Sequence, residues 1–288
     1  MRGLDILARS MSNPTRGSGK GFQFGNSWQY HSRSDRHSKI ACWSILFDLM
    51  LRSSLLREQV ANGRAACGIN HTMTDFRTGR KKDLDLVVCR SIPARATDGP
   101  RSFRQMVDAY TIVLDDVDRA ALASLPDIPV GEAAQVMMAL EAKAAMTEFS
   151  KARPRLYDEL NSSHLTVHGS DEAVIAAGFV MVNVASSFVS PDRNKHPLAT
   201  TPAVVNEHRQ PAAAASVLEK LRELPRRARA SGNEGFDALA IVLVNCRNDG
   251  SPVTVVTDPP APASADAYHY GQFISRLEML YATRFSAL

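Results

Sequence analysis

The run Val136-Met137-Met138-Ala139-Leu140-Glu141-Ala142-Lys143 carries an apolar stretch into a carboxylate and an ammonium two residues apart. In a strand, side chains alternate between faces, so Glu141 and Lys143 point the same way. Upstream, Lys81-Lys82-Asp83-Leu84-Asp85-Leu86-Val87-Val88-Cys89 alternates as well, which would set Asp83 and Asp85 on one face. Two such strands side by side bring Asp, Glu and Lys to one point. The chemistry served by that set is phosphodiester hydrolysis, in which carboxylates hold one or two Mg²⁺ ions that neutralise charge and activate water. Asp85 and Glu141 are then the metal ligands, with Asp83 as substitute for the first acid. Lys143 would orient or deprotonate the attacking water, or meet the charge on the phosphate. Lysine suits that place because its pKa falls readily in a partly buried, cation-rich site. Most isolated Glu-x-Lys triplets are surface ion pairs. This one sits at the end of an apolar strand, where a charge is not expected unless paired.

The two strands need a frame. A helix is expected from about Asp35 to Val60, with Ser34 or Asp35 as its cap and Ile40, Trp43, Leu46, Phe47 and Met50 on a broad apolar face. Residues 64–76 read as a strand that the basic turn Arg77–Lys82 joins to the Asp83/Asp85 strand as a hairpin. Residues 90–135 read as an insertion, with a loop to Arg104, a strand at Tyr110–Leu114 and a helix from Asp115 to Leu125. It sets Asp85 and Glu141 56 residues apart, which is long for neighbouring strands. A helix follows from about Pro154 to Ser163, proline suiting a first helical position. Val174–Val184 and Leu239–Cys246 read as buried strands, and Val253–Thr257 as a further strand. Helices are expected from Ala212 to Arg229, broken near Pro225, and from Tyr268 to Arg284. Residues 1–30 read as a flexible N-terminal segment, and 31–288 as one domain. The class is α/β, a mixed sheet covered by helices.

Composition narrows the field. The 288 residues are 44% hydrophobic, enough for a sizeable core, and 22% charged, which argues against wholesale disorder. A net charge of +4 is compatible with a nucleic-acid partner. Cys42, Cys67, Cys89 and Cys246 are scattered without metal-like spacing and read as buried thiols. No apolar run reaches membrane-spanning length and no secretory leader is evident, so a cytoplasmic protein is expected. A Walker A reading of the Gly/Lys stretch fails, since Lys20 is followed by Gly21.

Taken in order, Leu84-Asp85-Leu86-Val87-Val88 followed by Glu141-Ala142-Lys143 resembles the PD-(D/E)XK nuclease superfamily, over roughly residues 35–185. The resemblance implies a restriction-endonuclease-like fold with insertions, in which Asp85 matches the strand aspartate, Glu141 the second acid and Lys143 the lysine. It implies Mg²⁺, or Mn²⁺ in its place, double-stranded DNA as substrate, and a homo-oligomer, a dimer or higher. The proline of the "PD" is absent, and a first-helix acid is left to Asp48 or Glu58. Ile128-Pro129-Val130-Gly131-Glu132 running into the Glu141 strand is similar to effector nucleases of bacterial cyclic-nucleotide antiphage systems. That likeness implies a defence role, by restriction or as an effector with an activating nucleotide ligand. The other readings are an RNA or structure-specific nuclease, and a non-catalytic nucleic-acid-binding module retaining the fold.

Further residues carry weaker expectations. Arg80, Lys81 and Lys82 are candidate phosphate contacts, and Lys151, Arg153 and Arg155 candidate walls of a DNA cleft. Arg226, Arg227 and Arg229 read as helix surface, and His164 and His168 as helix-end caps. His31 and His37 are nucleic-acid candidates that nothing singles out.

Overall fold

The computed structural model describes residues 1–17, 22–92, 99–228 and 234–287. In chain order these form α1 (Gly3–Ser12), α2 (Arg36–Arg52), α3 (Ser54–Ala61), β1 (Ala66–Thr74) and β2 (Lys81–Ile92). Next come α4 (Gln105–Ala109), α5 (Asp116–Ser124), β3 (Glu132–Ala145), α6 (Phe149–Ser170), β4 (Ile175–Asn183), β5 (Ser187–Val189) and β6 (Val205–Glu207). The chain ends with α7 (Ala212–Arg222), β7 (Ala238–Asn245), β8 (Thr254–Val256) and α8 (Tyr270–Phe285). Arg229 and the Lys20 stretch lie outside the described residues.

The central sheet has the order β1-β2-β3-β4-β7-β8. β1, β2 and β3 are antiparallel neighbours, β3, β4 and β7 run parallel, and β8 closes the far edge antiparallel. The parallel strands lie in the middle, as their sequences demand. Every residue of β4, Ile-Ala-Ala-Gly-Phe-Val-Met-Val-Asn, is buried, which requires a helix layer on each face. One layer is α1, α2 and α8, contributing Ile6, Trp43, Phe47, Phe273 and Tyr281. The other is α6 and α7, contributing Leu156, Leu160, Val217 and Leu221. The mixed sheet flanked by helices is as expected. Among the described residues no helix is long and apolar enough to cross a membrane.

Local chemistry sets several boundaries that the sequence blurred. The expected single helix 35–60 is two, because Ser53 leaves helical geometry and its hydroxyl accepts the Leu56 N–H at 3.2 Å, capping α3. The Arg57 guanidinium closes α2 from the other side by donating to the Met50 and Leu51 carbonyls. Residues 1–30 are not a flexible segment throughout. Ile6, Leu7 and Met11 form an apolar face that buries α1 against α2, a pattern masked in sequence by the Gly/Ser-rich stretch beyond it. α6 starts at Phe149 rather than Pro154, which sits exposed inside its second turn, where water can satisfy the carbonyl that the proline leaves unpaired. Residues 110–114 are not a strand: α4 precedes them, and Ile112 and Leu114 are pinned to the core as coil. The insertion is anchored by Phe103, which stacks on Trp43 at 4.6 Å and accepts its indole N–H at 3.0 Å. All four cysteines are free and buried.

Candidate active site

β2 and β3 are antiparallel with Leu86 opposite Leu140 and Val87 opposite Ala139. The pairing ends at Leu86–Leu140, and Asp85 and Glu141 are the next residues on their strands. The backbone fixes the juxtaposition, since the Ala142 N–H donates to Asp85 Oδ2 at 2.8 Å. On its other side β3 runs parallel to β4, placing Glu141 beside Gly178 and Lys143 beside Val180. Gly178 is required to be small, because a Cβ there would lie 2.6 Å from the Leu239 side chain. Glu141 and Lys143 alternate with Ala142 and Ala144, which pack into the α2 layer, so the two charged groups face α6.

The expected pairing of Asp83 with Asp85 does not hold. Leu84 packs into the α6 layer but Leu86 into the α2 layer, so the alternation of β2 exchanges faces at Asp85. β1 does the same across Asn70, which stands opposite Asp85 at φ 51: Ile69 joins the α2 layer and Met73 the α6 layer. Asp83 is consequently exposed and accepts the Thr72 hydroxyl, away from the cluster.

Glu141 is 2% exposed. Its Oε1 lies 2.6 Å from Lys143 Nζ and 3.6 Å from Lys82 Nζ. Its Oε2 is buried without a hydrogen-bond partner among the described residues. From α6, Glu159 reaches Lys143 at 3.6 Å and Arg155 at 3.6 Å. From the first turns of α2, Ser38 comes within hydrogen-bonding reach of the Asp85 carboxylate. His37 lies near enough to Lys143 to feel its charge and tilts against Tyr30 at 4.8 Å.

Electrostatics follow from burial. Desolvation raises the Asp85 pKa, against the Ala142 N–H and the nearby Lys143 charge. Desolvation raises Glu141 likewise, Lys143 opposing it and the Asp85 charge adding to it. Lys143 is raised overall: burial alone would lower it, but Glu141 and Asp85 together outweigh burial, so it stays an ammonium. The expectation of a lowered lysine is met instead by Lys82, which burial pulls down against the attraction of Glu141. His37 is pushed down to about 4, by burial first and the Lys143 charge second, so it is neutral at pH 7.

A buried and a half-buried carboxylate held above their usual range, the buried one with an oxygen left unpartnered, fit a hard divalent cation, whose charge would favour both ionised forms. Among the described residues no three His, Cys, Asp or Glu side chains are assembled around one point for a metal. The acids at this point are two, and Mg²⁺ in particular is commonly held by one or two carboxylates with water and phosphate oxygens completing its shell.

The structure thus brings together Asp85, Glu141 and Lys143. It adds Lys82, read from sequence as a DNA contact, His37, read there as a nucleic-acid candidate that nothing singled out, and Glu159 and Ser38, which sequence reasoning left out. Glu159 had one legible signal, its place on the face of α6 that carries Arg155 one turn earlier. Neither proposed first-helix acid joins. Asp48 is buried elsewhere, accepting the Arg2 and Gly3 N–H groups and the Tyr270 hydroxyl, and Glu58 is exposed on α3. Arg80 donates to Ser162 on α6, and Lys81 is exposed. Lys151 pairs with Glu148 at 2.8 Å, and Arg153 is exposed on the first turns of α6. Arg227 is not helix surface but buried 3.8 Å from Asp237. His164 and His168 are buried rather than capping, against Phe236 and the Gly235 carbonyl. His31 is buried against Phe22.

Comparison with family models, with curated proteins and with solved structures gave no match.

Proposed function

We propose that this protein is a metal-dependent phosphodiesterase of the PD-(D/E)XK type, an endonuclease. The observation that carries the reading is that Asp85 and Glu141 follow the last β2–β3 pair, with Asp85 Oδ2 accepting the Ala142 N–H and Lys143 on the face of Glu141. The order α2, β1, β2, β3, α6, β4 supports it, as does the change from antiparallel to parallel pairing at β3. Asp85 and Glu141 would hold Mg²⁺ or Mn²⁺, which supplies charge neutralisation and an acidified water. Lys143, kept positive by Glu141, meets the charge of the attacked phosphate and orients the water. Lys82 balances Glu141 on its other side. Glu159 bridges Lys143 and Arg155, so an arriving phosphate takes over cations that Glu159 engages in its absence.

Double-stranded DNA as substrate, a homo-oligomer, an activating nucleotide and an antiphage role enter the proposal from the sequence resemblance alone, and a DNA substrate would set the protein in the cytoplasm. Supercoiled plasmid incubated with Mg²⁺ tests the reading. Wild type is expected to nick or linearise it, and Lys143→Ala to lose at least about 100-fold in rate, the usual effect of removing an aimed charge. Cleavage by the variant at the wild-type rate would reject the assignment.

A further inference from the structure

The tip of the β1–β2 hairpin is built rigidly and displays an aromatic ring. Asp75 organises the turn: its carboxylate accepts the Arg77 N–H at 2.9 Å and the Thr78 hydroxyl at 2.6 Å. Its carbonyl accepts the Gly79 N–H, and its N–H donates to Arg80. Gly79, at φ 72, provides the left-handed residue that the turn needs. The turn is clamped to α6, since the Phe76 N–H donates to the Gly169 carbonyl and Asp75 packs on the bare Cα of Gly169. On this fixed support Phe76 is 77% exposed, the most open large apolar side chain among the described residues. Exposure here is a product of the turn.

What the ring faces is set by its neighbours. Phe76-Arg77-Thr78-Gly79-Arg80-Lys81-Lys82 holds four cations and no carboxylate; acids adjoin it at Asp75 below the turn, at Glu234 beside Arg77, and at Asp83 and Glu141 beyond and beside Lys82. Three of the cations lie along one ridge of α6. Lys82 donates to the Glu159 carbonyl, Arg80 to the Ser162 hydroxyl and Arg77 to the Leu165 carbonyl. These anchor points are three residues apart, so the lane covers about 9 Å of helix. A B-form strand carries one charge per ~3.4 Å, so the lane spans two to three phosphates. It begins at Glu141, which Lys82 touches, and ends at Phe76, roughly 15 Å along the helix from Glu159.

We propose that the Asp85–Glu141–Lys143 site receives a nucleic-acid strand along this lane, and that Phe76 stacks on one of its bases a few nucleotides from the attacked phosphate. The proposal rests on the nuclease reading for the direction of the strand, and it adds a substrate feature: an unpaired or unstacked base on one flank of the cut. Stacking on an aromatic face is tolerant of base identity, so the contact selects strand structure rather than sequence.

The test reads binding, not cleavage, and leaves out divalent metal. A fluorescein-labelled single-stranded DNA of about 12 nucleotides, within the usual footprint of such grooves, is titrated with wild type, Phe76→Ala and Phe76→Trp and followed by anisotropy at several salt concentrations. Phe76→Ala is expected to bind about tenfold more weakly, as loss of one stacked base predicts, with an unchanged salt slope. Phe76→Trp is expected to bind as well as wild type, and its fluorescence to be quenched by the DNA. Arg80→Ala should lower the salt slope by about 0.7, the value for one single-strand phosphate. Equal binding by wild type and Phe76→Ala would overturn the proposal, as would a change of oligomeric state in Phe76→Ala, which would make the tip a self-association contact. Because no step of the test needs Mg²⁺ or Lys143, a protein that binds as expected but cuts nothing would sink the nuclease reading and leave the lane standing.

Discussion

Glu141 divides its carboxylate between two tasks. Oε1 takes the Lys143 ammonium at 2.6 Å, while Oε2 faces no donor among the described residues. A buried acceptor left unpaired costs the fold about 1–3 kcal/mol, an expense that folding alone gives no reason to keep. Asp85 shows the same conflict, its pKa raised by desolvation although the Ala142 N–H opposes the shift. A raised carboxylate is stabilising where it is protonated and loses that contribution as pH rises through its folded value, so the charge of Asp85 weighs against the fold. Asp85→Asn keeps an acceptor for the Ala142 N–H and removes the charge. Its melting temperature in metal-free buffer at pH 7 is therefore expected to match or exceed that of wild type, while cleavage is lost. A fall of several degrees would mean that Asp85 serves the fold first.

At the scale of elements, the site depends on a glycine that lets neighbouring strands pack closely. Gly178, beside Glu141 on β4, has Leu239 and Phe236 pressed over it. Gly178→Ala should cost about 1–3 kcal/mol by overpacking, read from the denaturation midpoint, and should disturb Glu141 in the same variant. Much of this layout was legible in sequence. The β1–β2 hairpin, the E-x-K strand β3 and the fully apolar strands β4 and β7 declared themselves by alternation, turn residues and unbroken apolar runs. What could not be read was the exchange of faces at Asn70 and Asp85, because period-two reasoning assumes a regular pleat and nothing in Asp83-Leu84-Asp85-Leu86 marks a break. Glu159 was hidden for a different reason. It joins the site through the docking of α6 on the sheet, a tertiary fact that leaves only a faint local trace. Pro154 misled by suiting a helix start that the chain makes five residues earlier.

Across the whole molecule, two apolar layers hold one sheet, and the buried imidazoles set how it answers to acid. His37 and His164 are each held near 4 by burial first; His168 is also held near 4, by burial and then by the Arg227 charge. In the unfolded chain all three titrate near 6.5. The unfolded state therefore takes up protons first as pH falls. Stability is whole above about 6.5 and is lost as pH drops towards about 4, partly offset by Asp85 and Glu141, which take up protons in the folded state. Thermal melts across that window should show the decline, and His164→Leu should flatten it; a variant with the wild-type slope would place the acid sensitivity elsewhere. The layer on the α2 side hinges on Trp43, between Phe47 and Phe103, and Trp43→Ala should cost about 3–5 kcal/mol in chemical denaturation.

The proposed chemistry requires that Asp85 and Glu141, brought together at the end of the β2–β3 pairing, hold a divalent cation. Calorimetric titration of Mg²⁺, and of Mn²⁺ as the tighter binder, into wild type, Asp85→Ala and Glu141→Gln tests it without any substrate. Saturable binding by wild type that either substitution removes, with folding intact by circular dichroism, is expected. Binding that is unchanged in Asp85→Ala would contradict it, leaving the Asp-Glu-Lys cluster a buried ion-pair network and the protein without the metal site on which its proposed chemistry depends.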